Sequence, residues 1–96
     1  MSRASIISQT LSANRDYLFS KYALKSLAIF GSYSRGDFKP DSDVDILVEF
    51  SQPVGIEFVD LALELEDLLG RKVDLVSRNG IKERYFKYVE PDLKYV

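Results

Sequence analysis

The strongest constraint on this chain is the run Val44-Asp45-Ile46-Leu47-Val48-Glu49-Phe50, with Asp43 directly before it. A stretch so rich in β-branched and aromatic residues reads as a strand. Carboxylates are unusual at the head of such a strand, because a charge at the margin of an apolar core is costly unless it is paired. Side chains alternate across a strand, so Asp43 and Asp45 project from the same face. Val73-Asp74-Leu75 repeats the anomaly in another apolar run. If the two runs share one sheet, it gathers negative charge at one edge.

The rest of the pattern shows how the two runs come together. Residues 5–20 place Ile7, Leu11 and Leu18 on one face, with Tyr22 next, and predict one amphipathic helix with Ser5 as its N-cap. Residues 26–30, 44–50 and 72–77 predict three strands. Pro53 and Gly55 mark a turn. Over 56–69 an apolar face of Phe58, Leu61, Ala62, Leu65, Leu68 and Leu69 opposes Glu57, Asp60, Glu64 and Asp67, and Gly70 follows as the C′ residue. A last short helix runs from Ile81 to about Val89 and is stopped by Pro91. A helix between the second and third strands suits a parallel crossover, whereas the shorter loop at 31–42 suits an antiparallel pair. The expected fold is α/β (α+β), a small mixed sheet flanked by helices, forming one domain over residues 1–96. Gly31, Asp43, Asp45 and Asp74 then share one edge of the sheet.

Composition narrows the chemistry. There is no histidine and no cysteine, so histidine-based nucleophile activation, histidine or thiolate metal sites and disulfides are excluded. Carboxylates alone favour hard cations, chiefly magnesium or manganese. A net charge of −2 gives no general attraction to nucleic acid or anionic membrane, and direct nucleic-acid binding is not expected. No signal-peptide core and no run of membrane-spanning length occurs, so a cytoplasmic protein without membrane association is expected.

Within Pro40-Asp41-Ser42-Asp43, Asp41 and Ser42 suit a turn, because their side chains bond to nearby backbone. Asp45 and Asp74, each inside a strand, do not fit that explanation. Three converging carboxylates repel one another and raise their pKa values, and a divalent cation removes that penalty. Gly31-Ser32, at the end of the first strand, lets backbone approach a ligand, and a following helical turn aims amides and the Ser32 hydroxyl at an anion. Arg35 is placed either to reach a phosphate or to make a surface ion pair.

Gly31-Ser32, ten intervening residues, then Asp43-Val44-Asp45-Ile46 resembles the signature of the DNA polymerase β nucleotidyltransferase superfamily. With Lys72-Val73-Asp74-Leu75 after one helix, the chain is most similar to the minimal nucleotidyltransferase (MNT) branch, over nearly its whole length. The resemblance implies a polymerase β-like palm fold with all three carboxylates present. It also implies two magnesium ions on Asp43, Asp45 and Asp74, with ATP as substrate and phosphates held by Gly31, Ser32 and, as a candidate, Arg35. Asp74 would also face the attacking hydroxyl and accept its proton. The implied partner is a helical HEPN-domain ribonuclease toxin, modified by transfer of AMP to a tyrosine, with this chain as its antitoxin.

Two rivals stand beside that reading: an antitoxin acting by contact alone, and an enzyme modifying a small hydroxyl compound. The predicted elements leave no segment for an acceptor domain, so a second polypeptide and a hetero-oligomer are expected. The acidic face Glu57, Asp60, Glu64 and Asp67 reads as solvated surface. In the aromatic C-terminal stretch, Ile81, Tyr85 and Val89 fit a packing face, while Phe86 and Tyr95 fall off it as interface candidates.

Overall fold

The structure, a computed structural model, describes residues 3–96, with side chains from residue 5 onward. The chain order is α1 (Arg3–Ala13), α2 (Arg15–Tyr22), β1 (Leu24–Phe30), α3 (Ser32–Arg35), β2 (Val44–Phe50), α4 (Glu57–Leu69), β3 (Val73–Ser77), α5 (Glu83–Val89), a 3-10 turn (Glu90–Asp92) and β4 (Lys94–Tyr95). The strands form one sheet in the order β3-β2-β1-β4. β1 pairs antiparallel with both β2 and β4, and β2 pairs parallel with β3 across the α4 crossover. The small mixed α/β sheet expected from the sequence is present, with a fourth strand added.

One side of the sheet carries the core. Leu27 and Ile29 of β1 lie opposite Val48 and Ile46 of β2, and with Val44 and Phe50 they join Leu11, Leu18, Leu61 and Leu65 in a single buried cluster. Along β2, Val44, Ile46 and Val48 are fully buried on the core side; on the other face Asp45 and Glu49 are half-buried and Leu47 between them is buried.

Four expectations change. The helix expected over 5–20 is two helices, and Ser5 lies inside α1 rather than capping it. The break is at Asn14, whose side-chain amide donates to the Thr10 carbonyl at 2.8 Å while its backbone leaves helical geometry (φ −105°, ψ 7°). An asparagine side chain that competes for a backbone acceptor in this way interrupts a helix. Leu11 and Leu18 still both reach the core. β1 begins at Leu24, two residues earlier than expected, and a bulge between Leu24 and Ser26 leaves Lys25 exposed. In α5, Tyr85 is exposed rather than packed, and Phe86 lies under the Arg78 guanidinium, 3.7 Å from its carbon to the ring centroid.

The fourth change concerns the acidic face of α4. Glu57, Asp60 and Asp67 are exposed, but Glu64 is a tie between helices. It accepts hydrogen bonds from Lys21 Nζ at 2.9 Å and Tyr22 Oη at 2.5 Å. The phenols of Tyr17 and Tyr22, with the Lys21 ammonium, hold the Glu64 carboxyl down to about 2. A carboxyl depressed on folding stabilises the fold above its unfolded pKa, and that stability is lost as pH falls through the folded value. In paired denaturant titrations, the wild type should therefore be more stable than Glu64→Gln near neutrality. The difference should vanish between about pH 4.5 and about pH 2; a difference that persists below pH 2 would show that the charge is not its source.

Candidate active site

Two ladders bring the site together. The antiparallel ladder sets Phe30, the last residue of β1, opposite Asp45, and the parallel ladder sets Asp45 beside Asp74. Asp43 precedes Asp45 by two residues. Gly31 follows Phe30, so Gly31, Asp43, Asp45 and Asp74 occupy one edge of the sheet, as the sequence predicts. Asp43 and Asp74 are exposed and Asp45 is half-buried between them.

Gly31 serves Asp45 before it serves any ligand. Its backbone (φ 71°, ψ −148°) lies in a region open essentially to glycine alone. A Cβ built on it would stand 2.2 Å from Asp45 Oδ2. The carboxylate therefore occupies the space that a side chain at position 31 would fill, a role that the glycine-serine pair did not disclose.

Burial first, then the charges of Asp74 and Asp43, push the Asp45 carboxyl upward, and Arg35 opposes them. Among the described residues, no hydrogen bond or ion pair reaches the carboxylate of Asp43, Asp45 or Asp74. Nor are three such groups already closed around one point. In kind, the oxygen donors suit a hard divalent cation. In position, Asp45 and Asp74 are neighbours across a ladder, and Asp43 comes two residues before Asp45, just ahead of β2.

The phosphate-binding candidates sit on α3. Ser34 and Arg35 N–H groups donate to the Gly31 carbonyl at 3.1 and 3.0 Å, and Gly36 N–H donates to the Ser32 carbonyl at 2.8 Å. The first amides of the turn have no intrahelical acceptor, and the half-buried Ser32 hydroxyl has no hydrogen-bond partner among the described residues. Tyr33, buried between them, stacks on Phe38 with ring centroids 4.4 Å apart and fixes the turn to the core. Arg35 is ion-paired, through Nε to Asp37 at 3.2 Å and through Nη1 to Asp92 at 2.9 Å. Ser42 closes the preceding turn, accepting from Lys39 N–H at 2.8 Å. Sequence reasoning missed Ser34 and Asp92, whose bond spans 58 positions and leaves no local signal.

Gly31→Ala and Gly36→Ala separate these effects. Both positions have positive φ, and a Cβ at Gly36 meets nothing within 4 Å. Each substitution should cost about 1–3 kcal/mol of stability in backbone strain. Only Gly31→Ala should also displace the Asp45 carboxylate, lowering manganese affinity roughly tenfold or more. Equal manganese affinity in the two variants, by titration, would contradict the geometry.

The sequence and the fold are shared with known proteins. Residues 11–94 match the family model for the nucleotidyltransferase domain. A relative from Methanocaldococcus jannaschii, provisionally named a protein adenylyltransferase, is 47% identical over 98 residues, covering 100% of both chains. The protein adenylyltransferase MntA of Thermococcus cleftensis is 41% identical over 91 residues, covering 94% of this chain and 92% of its own. Among solved structures, a complex of a tri-AMPylated Shewanella oneidensis HEPN toxin with its MNT antitoxin aligns with a TM-score of 0.67 at 26% identity. That alignment covers 91% of this chain and 69% of the other. This chain belongs to the nucleotidyltransferase domain family, in its minimal (MNT) branch, and is a nucleotidyltransferase.

Proposed function

We propose that this protein transfers AMP from ATP to a tyrosine hydroxyl of a HEPN-domain ribonuclease toxin, and that it silences the toxin as its antitoxin. The observation that carries the reading is the register of Asp45 beside Asp74, against the space left by Gly31, at an edge open to solvent. A protein acceptor is supported by the protein adenylyltransferase names of the relatives and by the AMPylated toxin in the Shewanella complex.

Asp43, Asp45 and Asp74 would hold magnesium, which when bound supplies positive charge at the attacking and departing oxygens. The amides beside Gly31 and the Ser32 hydroxyl bind the β- and γ-phosphates, with Arg35 at the far side of the turn. This leaves the α-phosphate facing the aspartates. The acceptor oxygen bonds to the α-phosphorus while the bond from that phosphorus to the bridging oxygen breaks. AMP stays on the acceptor and pyrophosphate leaves. Asp74, exposed on the edge strand β3, takes the hydroxyl proton.

Among the described residues no helix is long and apolar enough to cross a membrane, consistent with a partner met in solution. The test is incubation with α-labelled ATP and magnesium, with and without the HEPN protein. Label should appear on a tyrosine of the partner, and Asp45→Asn should abolish transfer while the fold persists. Ser32→Ala should weaken transfer roughly ten- to a hundredfold, the value of one hydrogen bond to a charged group. Toxin inhibition that survives intact in Asp45→Asn would favour neutralisation by contact. Efficient labelling of small hydroxyl compounds without a partner would overturn the proposed acceptor.

A further inference from the structure

The segment after β3 contributes no residue to the aspartate edge, yet it is tied to the turn that the proposed reading gives to phosphate. From β3 at one margin of the sheet, α5 and the 3-10 turn carry the chain to β4 at the other. There Tyr95 and Lys94 pair with Ala28 and Ile29, and Val96 N–H donates to the Leu27 carbonyl at 2.9 Å. This anchors the segment along β1, the strand that Gly31 follows.

Just before that anchor, Asp92 grips α3 twice. Its backbone carbonyl accepts a hydrogen bond from Ser34 Oγ, and its carboxylate accepts from Arg35 Nη1 at 2.9 Å. Ser34 is buried, 8% exposed, and its own N–H closes the turn on the Gly31 carbonyl. α3 is only four residues long, and a single turn of helix has little stability of its own. Tyr33 ties it to Phe38; Ser34 and Arg35 tie it to Asp92.

We infer that residues 90–96 act as a strap that holds the Gly31–Gly36 turn in its ligand-binding shape, with Ser34 and Asp92 as positioning residues for nucleotide binding. The inference rests on the reading that a triphosphate sits on this turn. Neither residue need touch the nucleotide. Asp92 orients the Arg35 guanidinium, using one of its five N–H donors while Asp37 takes another. The ordering of turn and arginine is then complete before the ligand arrives, which improves binding without changing the chemical step.

The experiment measures AMP-PNP affinity in the presence of magnesium, steady-state kcat and KM for ATP, and amide exchange at residues 32–37. The proteins are wild type, Ser34→Ala, Ser34→Thr and Asp92→Ala. Ser34→Ala removes one hydroxyl and no charge, and should weaken AMP-PNP roughly three- to tenfold, the value of one neutral hydrogen bond. KM should rise in step while kcat stays within about twofold, and exchange at residues 32–37 should quicken. Ser34→Thr, which keeps the hydroxyl, should restore affinity, and Asp92→Ala should weaken it in the same sense. Unchanged affinity and exchange in Ser34→Ala, beside a wild type that binds, would overturn the strap alone. Tighter binding by Asp92→Ala would also overturn it, by showing that Asp92 competes with phosphate for Arg35. A wild type that binds no AMP-PNP would overturn the triphosphate reading and the strap with it.

Discussion

The carboxylate of Asp45 stands in the space where residue 31 has no side chain, flanked by two further carboxylates and, among the described residues, met by no cation at bonding distance. Much of the structure follows from that placement. Residue 31 must be glycine, both for its backbone angles and for the oxygen 2.2 Å from its notional Cβ. The turn after it must be short and pinned, because it closes on the Gly31 carbonyl. The edge is open to solvent, with Asp43 and Asp74 exposed, as the proposed entry of a cation and a triphosphate requires.

The mixed sheet supplies this geometry in two independent ways. The antiparallel pairing of β1 with β2 delivers Gly31 to Asp45, and the parallel pairing of β2 with β3 delivers Asp74 to its other side. The second needs a crossover, and α4 docks it with Leu61 and Leu65 fully buried. Each such leucine contributes ~1.5–3 kcal/mol. That burial offsets the mutual repulsion of the carboxylates, which the register sets side by side and which pushes the Asp45 carboxyl upward.

How much of this was legible depends on the range of each signal. Asp45 and Asp74 stood out because a strand is a local pattern and a carboxylate within it a local exception. Gly31 stood out too, but as a place for ligand to approach; its contact with Asp45 exists only once the strands pair. Asn14 breaks a helix through a bond four residues back, which the apolar spacing of Ile7, Leu11 and Leu18 conceals. Glu64 has the look of a solvated acid on its own helix, and its partners lie more than 40 positions away. β4 is two exposed residues, too short and too polar to carry a strand pattern. The Ser34–Asp92 contact joins a motif to a segment that reads as a tail. Chemistry that sits within a strand could be read; chemistry made by packing distant segments could not.

On the proposed reading, the edge is built for a cation that no described side chain replaces. Thermal unfolding of wild type and Asp45→Asn, each with EDTA and with excess magnesium or manganese, tests it most directly. Burial and like charges raise the Asp45 pKa above its unfolded value, so at neutral pH its ionised form destabilises the fold and its removal should stabilise it. Without metal, Asp45→Asn should melt above wild type. With metal, wild type should gain stability as ligand binding requires and the order should reverse. A wild type indifferent to both cations, or an Asp45→Asn variant that gains as much from them, would contradict the account.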